Sequence, residues 1–146
     1  MKLAISSDHG GFELKEALVA FLKERGHEVS DLGTTTPAPV DYPEYALKVA
    51  KAVASAEFER GIILCGTGIG VSIMANKVKG IRCALCHDIY TARISREHND
   101  ANVLALGGRI LKKELACDIL ETWLNTNFEG GRHQRRIEQI AEFESQ

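Results

Sequence analysis

No apolar stretch in these 146 residues approaches the roughly 18 that a membrane span needs. Basic charge is not in excess: 18 Lys and Arg stand against 20 Asp and Glu, a net charge of −2. The face-wide positive footprint of a nucleic-acid binder is therefore missing. At the N-terminus only Leu3, Ala4 and Ile5 separate Lys2 from Ser6, Ser7 and Asp8, too little for the core of a signal peptide, and the expectation is a cytoplasmic protein. In that compartment the four cysteines, Cys65, Cys83, Cys86 and Cys117, are reduced thiols and not a disulfide frame. What remains is an ordinary globular composition, 45% hydrophobic and 26% charged. Its length predicts one domain over residues 1–146.

Short β-type runs alternate with longer helical ones. Strands are predicted at Lys2–Ser6, His27–Asp31, Gly61–Cys65, Ile81–Cys86 and Asn102–Leu106. Helices are predicted at Phe12–Arg25, Tyr45–Ala56, Val71–Lys77, Asp88–Glu97 and Lys112–Thr126, with a last helix after Gly130-Gly131. Gly33–Pro43, which holds all three prolines, reads as a loop. This alternation predicts an α/β fold: a doubly wound, Rossmann-like parallel sheet of five strands in a three-layer α/β/α sandwich. Ligands of such sheets bind beyond the carboxyl ends of the strands, where strand order reverses. The turns there are Ser7–Gly11, Cys65–Gly70, His87-Asp88 and Gly107–Arg109, and they are rich in polar residues.

Cys65-Gly66-Thr67-Gly68-Ile69-Gly70 stands at the end of the third strand, with a helix directly behind it. Free N–H groups and the positive helix end suit a bound anion. A plain strand-to-helix turn is the bland alternative, and a dinucleotide site the sharper one. For the latter, Val71 stands where the fingerprint needs its third glycine, although Asp88 lies about 20 residues on, where a ribose-binding acid belongs. A thiol at a helix entrance is biased toward thiolate and can act as a base. Cys83, Cys86 and Cys117 read instead as small hydrophobes. Cys83 and Cys86 are spaced C-x-x-C, but within a strand they point to opposite faces.

Asp8 and His9 follow the first strand, where Asp8 can bind sugar hydroxyls or cap a helix and His9 can bind phosphate. His98-Asn99-Asp100 lies between a helix and the fifth strand, and Arg109 follows that strand. A metal set of Asp8, His9, His98 and Asp100 lacks tight ligand spacing. Arg132 and Arg136 share one helix face and can pinch a phosphate, or pair with Glu138 and Glu142 in solvent. The stripe of Ile137, Ile140 and Ala141 on that helix needs a cover, for which a dimer partner is the candidate.

The ordered set Ser7-Asp8-His9, Asp41-Tyr42-Pro43, Cys65–Gly70, Asn76-Lys77, Gly80-Ile81-Arg82, His98-Asn99-Asp100, Asn102-Val103-Leu104 and Gly130–His133 resembles the ribose-5-phosphate isomerase B family, which includes galactose-6-phosphate isomerase subunits. The resemblance spans nearly the whole chain. It implies a metal-free, cofactor-free aldose–ketose isomerisation of ribose 5-phosphate to ribulose 5-phosphate through an enediolate. By that resemblance His98 assists ring opening, Cys65 moves the proton, and Thr67 with the N–H groups of Gly68, Ile69 and Gly70 holds the oxyanion. Gly66 lines the same substrate-binding turn, and Asp8 and Asn99 position hydroxyls. His9, Arg109, Arg132 and Arg136 hold the phosphate, some of them supplied across a homodimer whose C-terminal helix forms the interface. Pairing of dimers into a tetramer stays open. Galactose-6-phosphate or allose-6-phosphate isomerisation, and a non-catalytic nucleotide-binding module, are the alternatives.

Overall fold

In the computed structural model, which describes Met1–Gln146, five strands form one all-parallel sheet: β1 Lys2–Ser7, β2 Glu28–Asp31, β3 Arg60–Cys65, β4 Cys83–Leu85 and β5 Val103–Gly107. Their order across the sheet is β2-β1-β3-β5-β4. The helices are α1 Phe12–Glu24, α2 Tyr42–Ala54, α3 Ile69–Ala75, α4 Ile89–Glu97, α5 Lys113–Asn125 and α6 Arg132–Glu144. None is long and apolar enough to cross a membrane.

Because successive strand residues face opposite sides, the apolar runs divide between two cores. Leu3, Ile5, Ile62, Leu64, Leu104 and Leu106 meet Leu14, Leu18 and Leu22 of α1, Ala92 of α4, and Ile119 and Trp123 of α5. Ala4, Ile63, Cys65, Val103 and Ala105 meet Val49 and Val53 of α2 and Val71 and Ala75 of α3. The predicted sandwich is therefore present, and Cys83 and Cys86 belong to opposite cores. A half-buried salt bridge ties down the segment after β2: Lys15, fully enclosed, reaches Asp31 at 2.6 Å and donates to the Thr34 carbonyl at 2.9 Å.

Three elements, α2, α3 and β4, depart from expectation by two residues or more at a boundary. Helix α2 starts at Tyr42, taking in Pro43, because proline in a first turn lacks only an N–H that would have no intrahelical partner. Helix α3 starts two residues early, since Gly68 at φ 80° turns the chain straight into it. Strand β4 is short, and side chains replace part of its ladder. Asn76 exchanges two hydrogen bonds with the Cys83 backbone, at 2.8 and 3.0 Å. Asn102 Oδ1 accepts from Arg82 N at 2.8 Å. These amides occupy backbone groups that an edge strand otherwise leaves bare.

Helix α6 touches the remainder of the chain chiefly through His133 and Ile137, which are buried, and through Glu144, whose carboxylate accepts from Gly80 N at 3.1 Å. Ile140 and Phe143 are 49% and 73% exposed. The apolar stripe expected on this helix is thus only partly covered within one chain.

Candidate active site

The chain steps from β1 to β2 on one side and then returns to place β3 on the other. The crevice beyond the carboxyl ends of β1 and β3 is therefore where an open sheet of this kind binds its ligand. A cleft of about 410 Å³ lies there, lined by Asp8, Tyr42, Cys65, Gly66, Thr67, Ile69, Gly70, Ile73 and Arg109. That volume suits a small-molecule ligand.

Cys65 is the last residue of β3 and is 6% exposed. Gly68, free to turn because it lacks a Cβ, directs its N–H at the Cys65 sulfur at 3.2 Å. Burial pushes the Cys83, Cys86 and Cys117 thiols up, away from ionisation. Thr67 Oγ1 accepts from Ile69 N at 3.2 Å. Of the three N–H groups expected to face an oxyanion, those of Gly68 and Ile69 are therefore engaged within the turn, and only that of Gly70 has no acceptor there.

Two close approaches set the walls. A Cβ on Gly66 would lie 2.9 Å from Arg109 Nη1, so the guanidinium lies directly over that glycine. A Cβ on Gly70 would lie 2.5 Å from the Tyr42 ring. Tyr42 and Ile73 are the lining residues that sequence reasoning did not single out for the site. The signal for Tyr42 is Pro43, which favours the first turn of a helix and so fixes the preceding residue at the rim. Asp8 is 6% exposed and accepts from Gly10 N at 2.8 Å and Gly11 N at 3.2 Å, both through Oδ1. It therefore caps the short 3-10 turn His9–Gly11 while also lining the cleft. His9 accepts from Val40 N at 3.1 Å through Nδ1, which leaves Nε2 as the donor of a neutral ring.

His98, Asn99, Arg132 and Arg136 are not part of this cleft. Helix α4 leaves the carboxyl end of β4 and runs back across the sheet, so His98, its C-cap, arrives at the amino ends of the strands. In the ladder Val103 opposes Gly61 and Gly107 opposes Cys65, so the start of β5, just after Asn99, is about 13 Å of strand from the cysteine's level. The turn there is clamped. Arg82 donates to the carbonyls of Asn99 and Asp100 at 2.9 to 3.1 Å, and the buried Arg96 donates to Asp100 Oδ1 at 2.9 Å and to the Ala101 carbonyl at 2.7 Å. Gly130 and Gly131, at φ 69° and 55°, then bring α6 alongside, and His133 stacks on His98 with ring centroids 4.1 Å apart. Arg132 and Arg136 are exposed at this end.

The metal set of Asp8, His9, His98 and Asp100 is not assembled, because its two halves occupy opposite ends of the strands and Asp100 is paired with Arg82 and Arg96. The dinucleotide alternative loses its acid as well. Asp88 caps α4 by accepting from Thr91 N at 2.7 Å, and those Thr91 hydrogen bonds hold its carboxyl below the usual range.

The sequence profile of the Ribose/Galactose Isomerase family matches residues 3–140. A solved Clostridium thermocellum ribose-5-phosphate isomerase B superposes with a TM-score of 0.98 at 57% identity, covering 99% of this chain and 98% of its own. The Escherichia coli (strain K12) ribose-5-phosphate isomerase B is 52% identical over 143 residues, 98% of this chain and 96% of that protein. The Mycoplasma genitalium ribose-5-phosphate isomerase B, solved with bound ribulose-5-phosphate, superposes with a TM-score of 0.95 at 42% identity, covering 99% of this chain and 97% of its own.

Proposed function

Since the chain belongs to the Ribose/Galactose Isomerase family, we propose that it interconverts ribose 5-phosphate and ribulose 5-phosphate, with Cys65 as the base. The observation that carries this reading is the Cys65 sulfur at the cleft beyond β1 and β3, held 3.2 Å from the Gly68 N–H. The thiolate takes the proton from C2 of the open-chain aldose, and the electron pair forms the C1=C2 bond of an enediolate. The charge on O1 meets the free Gly70 N–H and the Thr67 hydroxyl. The O2 proton passes to O1, the Cys65 thiol returns its proton to C1, and C2 becomes the ketone. Asp8 positions sugar hydroxyls, and His9 and Arg109 bind the phosphate.

His98, Asn99, Arg132 and Arg136 enter this reading from a second subunit. Their separation from Cys65 within one chain supports it, as does the uncovered apolar surface. Ile69 and Ile73 on the cleft's lip are 52% and 57% exposed. A second concavity, about 640 Å³ and mostly apolar, runs along the β4 edge between α4 and α6, with Ile140 and Phe143 in its wall. It is the larger of the two, yet burial holds its Cys83 and Cys86 thiols away from ionisation, and it suits a protein face. In a two-fold dimer each chain lends its α4–β5 turn and the start of α6 to the other's cleft.

A coupled assay tests the reaction. Turnover of ribose 5-phosphate, unchanged by EDTA, is expected. Turnover of galactose 6-phosphate or allose 6-phosphate alone would move the chain to another branch of the family. The role of His98 predicts an asymmetry. Ribulose 5-phosphate carries phosphate on the oxygen that would close its furanose ring, so it stays open. His98→Asn is expected to slow conversion of cyclic ribose 5-phosphate by roughly 10²-fold or more and to spare solvent-deuterium exchange into ribulose 5-phosphate. Equal loss in both would remove His98 from ring opening.

A further inference from the structure

Asp100 follows the His98-Asn99 pair and is held with a left-handed backbone, at φ 46°. We propose that Asp100 is a positioning residue for the isomerisation: gripped by Arg82 and Arg96, it fixes the turn that presents His98.

Helix α4 ends at Glu97, with His98 as its C-cap. The left-handed residue then turns the chain so that Asp100 N donates to Arg96 O at 3.2 Å and Ala101 N donates to Ser95 O at 3.0 Å. Glycine takes this conformation freely and is the usual residue after a helix. Aspartate tolerates it and adds a carboxylate, which is fully engaged. Its Oδ1 accepts from Arg96 Nη1 at 2.9 Å, and its Oδ2 lies 3.5 Å from Arg82 Nη2. A strained residue that its surroundings over-determine in this way is a pointer to function.

Both arginines reach Asp100 from fixed places. Arg82 precedes β4 and is locked to the start of β5: its N–H donates to Asn102 Oδ1 at 2.8 Å, and Asn102 N donates back to Arg82 O at 3.0 Å. Its guanidinium donates to Asn99 O at 3.0 Å and to Asp100 O at 2.9 Å. Arg96 is 5% exposed and pairs its charge with Asp100. It also donates to Ala101 O at 2.7 Å and to Thr126 O at 3.2 Å.

The Thr126 contact ties in the segment after α5. That segment passes Glu129, whose N–H donates to Glu97 O at 3.1 Å, and reaches His133. The His133 ring stacks on His98, with centroids 4.1 Å apart and planes 14° apart. The stack covers one face of the His98 ring and leaves its edge, where both nitrogens sit, for a substrate. One set of hydrogen bonds therefore holds the backbone that carries His98 and the segment that packs on its ring. Misplacing a proton-transfer group by about 1 Å can cost 10²-fold in rate, so loosening this clamp should be felt in ring opening.

The proposal rests on the reading of His98 as the ring-opening group. The test compares turnover of ribose 5-phosphate with solvent-deuterium exchange into ribulose 5-phosphate. Their ratio does not depend on the fraction of enzyme that is folded. Asp100→Gly keeps the left-handed turn and removes the carboxylate. Arg82→Met releases the same turn and leaves the Arg96–Asp100 pair in place. Each is expected to lower the ratio by on the order of tenfold or more. Asp100→Asn keeps an acceptor for Arg96 and tolerates the left-handed backbone, so its ratio should stay near wild type. An unchanged ratio in Asp100→Gly or in Arg82→Met, or a fall in Asp100→Asn as deep as in Asp100→Gly, would overturn the proposal.

A second readout is independent of turnover. The His98 ring protons, assigned by their loss in His98→Asn, should be shifted upfield by the stacked His133 ring. That NMR shift should persist in Asp100→Asn and shrink in Asp100→Gly and Arg82→Met. Identical shifts in all of these proteins would overturn the proposal. If His98→Asn slows turnover and exchange equally, the ring-opening reading fails, and the ring-proton shifts alone decide whether Asp100 positions His98.

Discussion

Cys65→Ala is expected to lower the rate of ribose 5-phosphate isomerisation by roughly 10² to 10⁴-fold, the usual contribution of a positioned general base. The expectation follows from position. Cys65 ends a central strand, and its sulfur receives the Gly68 N–H at 3.2 Å. The β-carbon of alanine retains most of the packing against α2 and α3, so the fold should survive. A small loss of stability is expected, since removing one buried sulfur leaves a void smaller than a methyl-rich side chain would. The internal control is Cys83→Ala. That thiol sits in the same core, but burial holds it firmly protonated, so its loss should leave turnover near wild type. Circular dichroism and thermal melts on both variants separate chemistry from folding. Normal turnover in Cys65→Ala, or a comparable loss in Cys83→Ala, would remove Cys65 from the mechanism.

Mixing two dead variants is expected to restore activity. Cys65→Ala lacks the base, and Arg132→Ala/Arg136→Ala lacks the cations that the proposed dimer sends across to the neighbouring cleft. In a two-fold mixed dimer one site collects both lesions and the other collects neither. With equal amounts and random pairing, about half of the dimers are mixed and each has one intact site, so activity should return to roughly a quarter of wild type. If each chain used its own arginines, every site would keep a lesion and mixing would restore nothing. The measurement is turnover after co-refolding, with subunit exchange verified by an affinity tag. The placement of the arginines makes this arrangement necessary for the proposed chemistry. They begin a helix held beside His98, at the amino ends of the strands, whereas Cys65 stands at a carboxyl end.

Much of this was legible in the order of residues. Strand runs such as Ile62-Ile63-Leu64 are apolar throughout and announce burial on both faces of a parallel sheet. The glycines after Cys65 mark a tight turn into a helix, because local conformational freedom is written in local sequence. The departures are local too. Pro43, which reads as the end of a loop, stands in the first turn of α2, and α3 begins two residues before the expected Val71. Propensity alone leaves the exact first turn of a helix open.

What the sequence could not decide was which distant groups meet. His98 and Asn99 follow a helix and precede a strand, and nothing in their spacing says which end of the sheet they reach. That depends on α4 running back from β4, and on β5 inserting between β3 and β4. Likewise the stack of His98 on His133 and the convergence of Glu129 come from segments that are remote in the chain, closed by a two-glycine turn. Periodicity and turn chemistry are short-range terms in the energy and are visible residue by residue. Strand order, and the meeting of loops across a sheet, are set by which apolar faces bury one another, and only the folded chain expresses that.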